Sequence, residues 1–226
     1  MCGVIGAILL EPSKEDFEML ERVFHESKIR GMHATGIAYV KNNDVIIEHK
    51  PVPSDQFGFK WKDYINEDGN LYLIGHCRYS TSDLEFNQPL GNVDKAIVHN
   101  GVITQELPEN WKDIYGYDCI TKNDSELVMY SGNPLQEFSH MSMGVCELSK
   151  EKKLRFYRNG KRPLYLTNIQ NGCIITSTKD IPVRAEVFGI PVEVLMNHYI
   201  TFDEHLAMMI DKVEVANAVD LQHVVC

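Results

Sequence analysis

Four short stretches of the chain carry residue types that could together do acyl-transfer chemistry. The first is the opening MCGVIGAILL, with Cys2 directly behind a methionine. A thiol attacks well only as thiolate, and free cysteine has a pKa near about 8.5, so something must take its proton. If Met1 is removed, Cys2 carries its own base. Its free α-amine, with an ordinary pKa of about 7.7–8.0, exchanges protons near neutrality. Position alone leaves a second reading open: a small buried residue at the head of a first strand.

An acyl-transfer nucleophile needs donors for the oxyanion it creates. The stretch IVHNGVIT supplies a side-chain amide at Asn100 beside a backbone N–H at Gly101. The same dipeptide is also the strongest short signal for a tight hairpin turn. GHCRYSTS ends on Arg78, whose guanidinium can grip a carboxylate bidentately. KNDSELV opens a short helix at Asp124, which is either a plain helix cap or the holder of an ammonium group. Singly, each reads more readily as structural. As a set they supply a nucleophile, oxyanion donors, a carboxylate clamp and an ammonium clamp. An α-amino acid whose side chain ends in an acyl group satisfies all four, and glutamine is such a molecule. His76 and His99 flank these stretches, but both sit on apolar strand ends and read as structural histidines rather than triad members.

The elements that must position these groups are mostly strands. Gly3 to Leu10 reads as a buried strand. A helix follows, with Ser13 and Asp16 at capping-box spacing, Phe17, Leu20, Val23 and Phe24 on one apolar face, and Gly31 as its end. GIAYV and DVIIEH, joined by Lys41-Asn42-Asn43, form a hairpin pattern. LYLIGHCR, KAIVHN and GVIT read as further strands, and PENWKDIYG and DSELVMYSG as short helices. The last third is strand-rich, interrupted by one helix from about Asp180 to Val187, and the segment after Asp203 reads as a final strand or an arm. Hairpin connections rule against a doubly wound parallel sheet and favour antiparallel sheets carrying helices on their outer faces.

Composition narrows the classes. With 226 residues and no linker or repeat, the chain reads as one domain spanning 1–226. A net charge of −10 without a long Lys/Arg run argues against nucleic acid as a partner. No apolar run reaches the roughly 20 residues of a membrane span, and the opening lacks the basic start of a signal peptide, so a cytoplasmic location is expected. The six cysteines include no CxxC pair and no zinc-finger spacing, so free thiols, no metal and no cofactor are expected.

The series MCGVIGA, GHCRYST, HNGVI and NDSE, in this order, resembles the class II glutamine amidotransferases, which are N-terminal-nucleophile hydrolases. The resemblance runs from Cys2 to about Thr201. It implies an α+β fold, a four-layer αββα sandwich of two antiparallel sheets. It also implies roles. Cys2 attacks the amide carbon of glutamine, with its own amine as base. Asn100 and Gly101 stabilise the oxyanion. Arg78 binds the α-carboxylate and Asp124 the α-amine. Thr81 and Tyr79 help hold the amino-acid end, and Arg30-Gly31 shapes the pocket. Where the family member that makes glucosamine-6-phosphate has Trp after the clamp arginine and His-Gly after the loop threonine, this chain has Tyr79 and Ser82-Asp83. The loop over bound glutamine is therefore expected to seal differently. No synthase domain is read in this chain, so a separate ammonia-accepting subunit is the expected partner. Two other readings stay open: an amidohydrolase acting on a γ-glutamyl conjugate or another amide, and a non-catalytic glutamine-binding module.

Overall fold

A computed structural model describes residues 2–79 and 87–215. In chain order it begins with strand β1 (Gly3–Leu9), helix α1 (Lys14–Ser27), the hairpin β2 (Ala34–Lys41) and β3 (Asp44–Lys50), then β4 (Leu71–Arg78). Strands β5 (Leu90–Gly91) and β6 (Lys95–Val102) come next. Three short helices follow: α2 (Trp111–Tyr115), α3 (Ser125–Tyr130) and α4 (Pro134–Glu137). The remainder is β7 (Ser142–Ser149), β8 (Leu154–Arg158), β9 (Tyr165–Ile169), β10 (Gly172–Thr176), helix α5 (Asp180–Arg184), β11 (Val192–Glu193), β12 (His198–Phe202) and β13 (Met208–Lys212).

The strands form two sheets, and every named pairing is antiparallel. One has the order β11-β9-β10-β1-β4-β2-β3, the other β13-β12-β8-β7-β6-β5. Strand β1 is buried along its whole length because it is covered on both faces. Ile5, Ala7 and Leu9 pack with Phe17, Leu20, Val23 and Phe24 of α1. Val4 and Ile8 face the other way and meet Val98, Cys146, Leu148 and Phe156 of the second sheet. That sheet's outer face, through Ile97, Val145, Tyr157 and Tyr199, is covered by Trp111, Leu127, Val128 and Leu135. Period-2 alternation thus feeds three apolar layers between four structural ones. The expected αββα sandwich is what the chain forms.

Helix α1 starts where its cap says it should. Ser13 Oγ accepts from Asp16 N at 3.2 Å, and Ser13 N donates to Asp16 Oδ2 at 2.8 Å. The helix ends slightly before the expected Gly31, in a 3₁₀ turn over Lys28–Arg30. The hairpin turn is at Asn42-Asn43, both left-handed (φ 53° and 58°), the conformation a two-residue hairpin loop needs. The expected helix to Val187 stops at Arg184, and the expected strand around PVEVL is only Val192–Glu193. Among the described residues after Asp203, Met208–Lys212 forms the strand β13. Among the described residues no helix is long and apolar enough to cross a membrane.

Candidate active site

Residue 2 and residue 78 are neighbours because the first strand runs antiparallel to the fourth. Gly3 pairs with Cys77, so the head of β1 lies beside the end of β4. Cys2 Sγ sits 3.9 Å from the Tyr79 carbonyl oxygen. The other wall comes from the second sheet. Asn100 and Gly101 lie inside β6, paired with Gly144 and Met143 of β7. The hairpin-turn reading of this dipeptide therefore does not hold. Cys2 N donates across the sheets to Asn100 Oδ1 at 3.1 Å. That bond leaves Asn100 Nδ2 buried and without a hydrogen-bond partner among the described residues. A buried donor in that state costs free energy unless a ligand satisfies it.

Gly101 has φ 155°, and a Cβ there would lie 1.9 Å from the Ser142 carbonyl oxygen. No side chain fits. Asp124 precedes α3 but does not cap it. Its Oδ2 instead accepts from Ile103 N at 2.6 Å and Thr104 N at 3.4 Å, which ties the carboxylate to the chain just beyond the Asn-Gly pair. Arg78 Nη1 donates to Asn87 Oδ1 at 2.8 Å.

These groups surround a cavity of about 400 Å³ whose lining includes Cys2, Arg78, Tyr79, Gly101 and Asp124. Two further charged residues that sequence reasoning missed, Glu106 and Lys122, also line it. Two cations and two anions around one cavity complement a zwitterion better than an ion of one sign. Tyr79 is about half exposed at the cavity and stacks its ring near His33, with centroids 5.2 Å apart. Arg30 and Gly31 stand behind the cavity wall rather than in it. A Cβ on Gly31 would be 2.2 Å from the Arg78 carbonyl carbon, so only glycine lets the turn after α1 press on the clamp strand. Burial lowers the Arg30 pKa, while the neighbouring Cys2 acts to raise it. Thr81 and the Ser82-Asp83 pair lie outside the described residues.

The two histidines are buried and neutral. Burial, reinforced by Arg78 and His99, pushes His76 down to about 3, and burial lowers His99 against the pull of Asp124. Both ring nitrogens of His99 are engaged, Nδ1 with Ser125 Oγ at 2.9 Å and Nε2 with the Ser142 carbonyl at 3.2 Å. Neither ring offers a base for Cys2. Among the other described cysteines, Cys77 and Cys173 are core residues whose thiols burial pushes up to about 12. No cluster of three or more His, Cys, Asp or Glu side chains that could hold a metal occurs among the described residues. Sequence reasoning also passed over Gln88 and Ser125. Ser125 belongs to the NDSE stretch, but Gln88 carries no periodic or motif signal.

Two antiparallel sheets between helical layers, with a cysteine at the head of a central strand, define the architecture of the N-terminal-nucleophile amidotransferases. The glutamine phosphoribosylpyrophosphate amidotransferase of B. subtilis superimposes with a TM-score of 0.70 at 17% identity, covering 93% of this chain and 49% of that one. The allosteric regulatory enzyme of purine biosynthesis gives 0.72 at 16% identity, with the same coverage. In sequence, the glutamine–fructose-6-phosphate aminotransferase (isomerizing) of Sulfurisphaera tokodaii is 24% identical over 189 residues, which is 77% of this chain and 31% of that protein. The chain thus spans half or less of the length of these relatives. No family model matches it. The chain thus shares the fold of these amidotransferases, and its sequence is similar to a glutamine–fructose-6-phosphate aminotransferase.

Proposed function

We propose that this chain hydrolyses the side-chain amide of L-glutamine. Cys2 Sγ attacks the amide carbon and passes its proton, by way of the α-amine, to the leaving ammonia. The oxyanion between these steps takes hydrogen bonds from Asn100 Nδ2 and the Gly101 N–H. A γ-glutamyl thioester forms, and water releases glutamate. Arg78 holds the α-carboxylate and Asp124 the α-amine, with Tyr79 and Thr81 at the amino-acid end and Arg30-Gly31 setting the wall.

The observation that carries this reading is the double duty of Asn100. Its oxygen accepts from Cys2 N, the atom that becomes the α-amine once Met1 is removed, while its buried Nδ2 is unpartnered among the described residues. The S. tokodaii relative is named for a transfer from glutamine, which supports the choice of amide. Residues 1–226 act on this reading as one glutaminase domain in the cytoplasm, and its ammonia goes to a separate acceptor subunit.

The test is glutamate release by the purified chain, wild type beside Cys2→Ala, with the N-terminal mass measured on the same samples. Wild type lacking Met1 releases glutamate and the variant does not. A processed wild type that hydrolyses γ-glutamyl conjugates but not glutamine moves the assignment to those amides. Activity in Cys2→Ala, or in chains that retain Met1, overturns the mechanism.

A further inference from the structure

Behind the oxyanion strand lies a closed ring of buried hydrogen bonds. His99 N bonds Gln88 Oε1 at 2.5 Å, Gln88 Nε2 bonds Ser125 Oγ at 3.0 Å, and Ser125 Oγ bonds His99 Nδ1 at 2.9 Å. All three residues are at least nine-tenths buried. The ring has one consistent set of directions. A carbonyl oxygen only accepts, so His99 Nε2 must carry a hydrogen and donate to Ser142 O. In a neutral imidazole Nδ1 is then an acceptor, and Ser125 must donate to it. Ser125 Oγ in turn accepts from the Gln88 amide, whose oxygen accepts the His99 N–H.

Each of the three members adjoins in sequence a residue of the site or its partner. His99 directly precedes Asn100 and Gly101, Ser125 directly follows Asp124, and Gln88 follows Asn87, the partner of Arg78. We propose that Gln88, His99 and Ser125 are positioning residues that fix the oxyanion donors relative to both clamps, and that Gln88 works through the direction of its amide rather than its bulk. The inference rests on the glutaminase reading for its kinetic consequences.

A Gln88→Glu substitution tests direction directly. An ionised carboxylate only accepts. It pulls the Ser125 hydrogen away from His99 and breaks the ring. A protonated carboxylic acid has the donor and acceptor of the amide and restores it. The charged or titratable groups near this position are Arg78 and the neutral His76 on β4, His49 on β3, which bonds Pro89 O, Asp124 before α3, and Arg162 beside His99. All are shared by wild type, so the ratio of variant to wild-type kcat cancels them. That ratio is expected to be about tenfold or more below one at pH 8, the effect of one broken buried hydrogen bond network, and to climb as pH falls toward 5. Gln88→Met, similar in size and without donors, is expected to stay low at every pH. A flat ratio for Gln88→Glu, or wild-type kcat for Gln88→Met, overturns the proposal. The His99 ring nitrogen shifts in the wild-type protein, read by NMR, must show a neutral ring protonated at Nε2. The opposite tautomer refutes the ring even in a protein without glutaminase activity. The expected tautomer in an inactive protein leaves the ring standing and removes the function.

Discussion

At the scale of single residues, the site separates chemistry from grip. On the proposed mechanism, Asn100 Nδ2 donates to an oxygen that becomes charged only during reaction. Replacing Asn100 with alanine is therefore expected to lower kcat by about 10²–10³ with a small change in KM, the range found when one oxyanion donor is lost. Asp124, as the proposed ammonium clamp, would hold a group that keeps its charge from ground state to transition state. Asp124→Asn retains an acceptor for Ile103 N but loses the negative charge, and is expected to raise KM about tenfold or more with a smaller effect on kcat. Steady-state kinetics over a range of glutamine concentrations separates the two. Equal effects on kcat and KM in both variants would contradict the division of roles.

At the scale of elements, α1 decides whether the wall behind the nucleophile is in place, because the turn carrying Arg30 and Gly31 is its continuation. Asp16 is the more connected end of the capping box: the same oxygen that accepts from Ser13 also accepts from Asn171 Nδ2 at 3.1 Å. Ser13→Ala is expected to cost about 1 kcal/mol, and Asp16→Ala more, measured by urea unfolding. The start and buried face of this helix were legible in the sequence, since a cap box and an apolar face at helical spacing are local signals, while its end was not. The hairpin at Asn42-Asn43 and most strands were legible too. The elements that went unread lack such signals. β5 is two residues long, α4 is one turn opened by Pro134, and the 3₁₀ turn at Trp61–Tyr64 has no apolar period. In the site, Cys2, Asn100, Gly101, Arg78 and Asp124 were legible as types of chemistry. The turn of Asp124 toward Ile103 and the partners of Gln88 were not, because they depend on register between distant elements.

At the scale of the whole molecule, the two sheets share a dry interior, and the cost of wetting it appears as a pH dependence. His76 is neutral in the fold with a pKa near 3, against about 6.5 in an unfolded chain. Above the unfolded value both states are neutral. Below it the unfolded chain binds a proton that the folded chain refuses, so stability falls as pH drops from about 6.5 toward 3. His76 alone accounts for about 2 kcal/mol of loss at pH 5, and His99 acts in the same direction. Urea midpoints at pH 7 and pH 5 should converge in His76→Gln relative to wild type. An unchanged gap would mean that other groups set the acid limit. The sheet order has a consequence for synthesis. β1 is flanked by β4 on one side and β10 on the other, so its second neighbour does not exist until Thr176 has been made. At roughly 5–20 residues per second, the ribosome needs on the order of ten to thirty-five seconds to reach that point. The strand that leads away from the thiol therefore waits for its second neighbour until most of its own sheet exists.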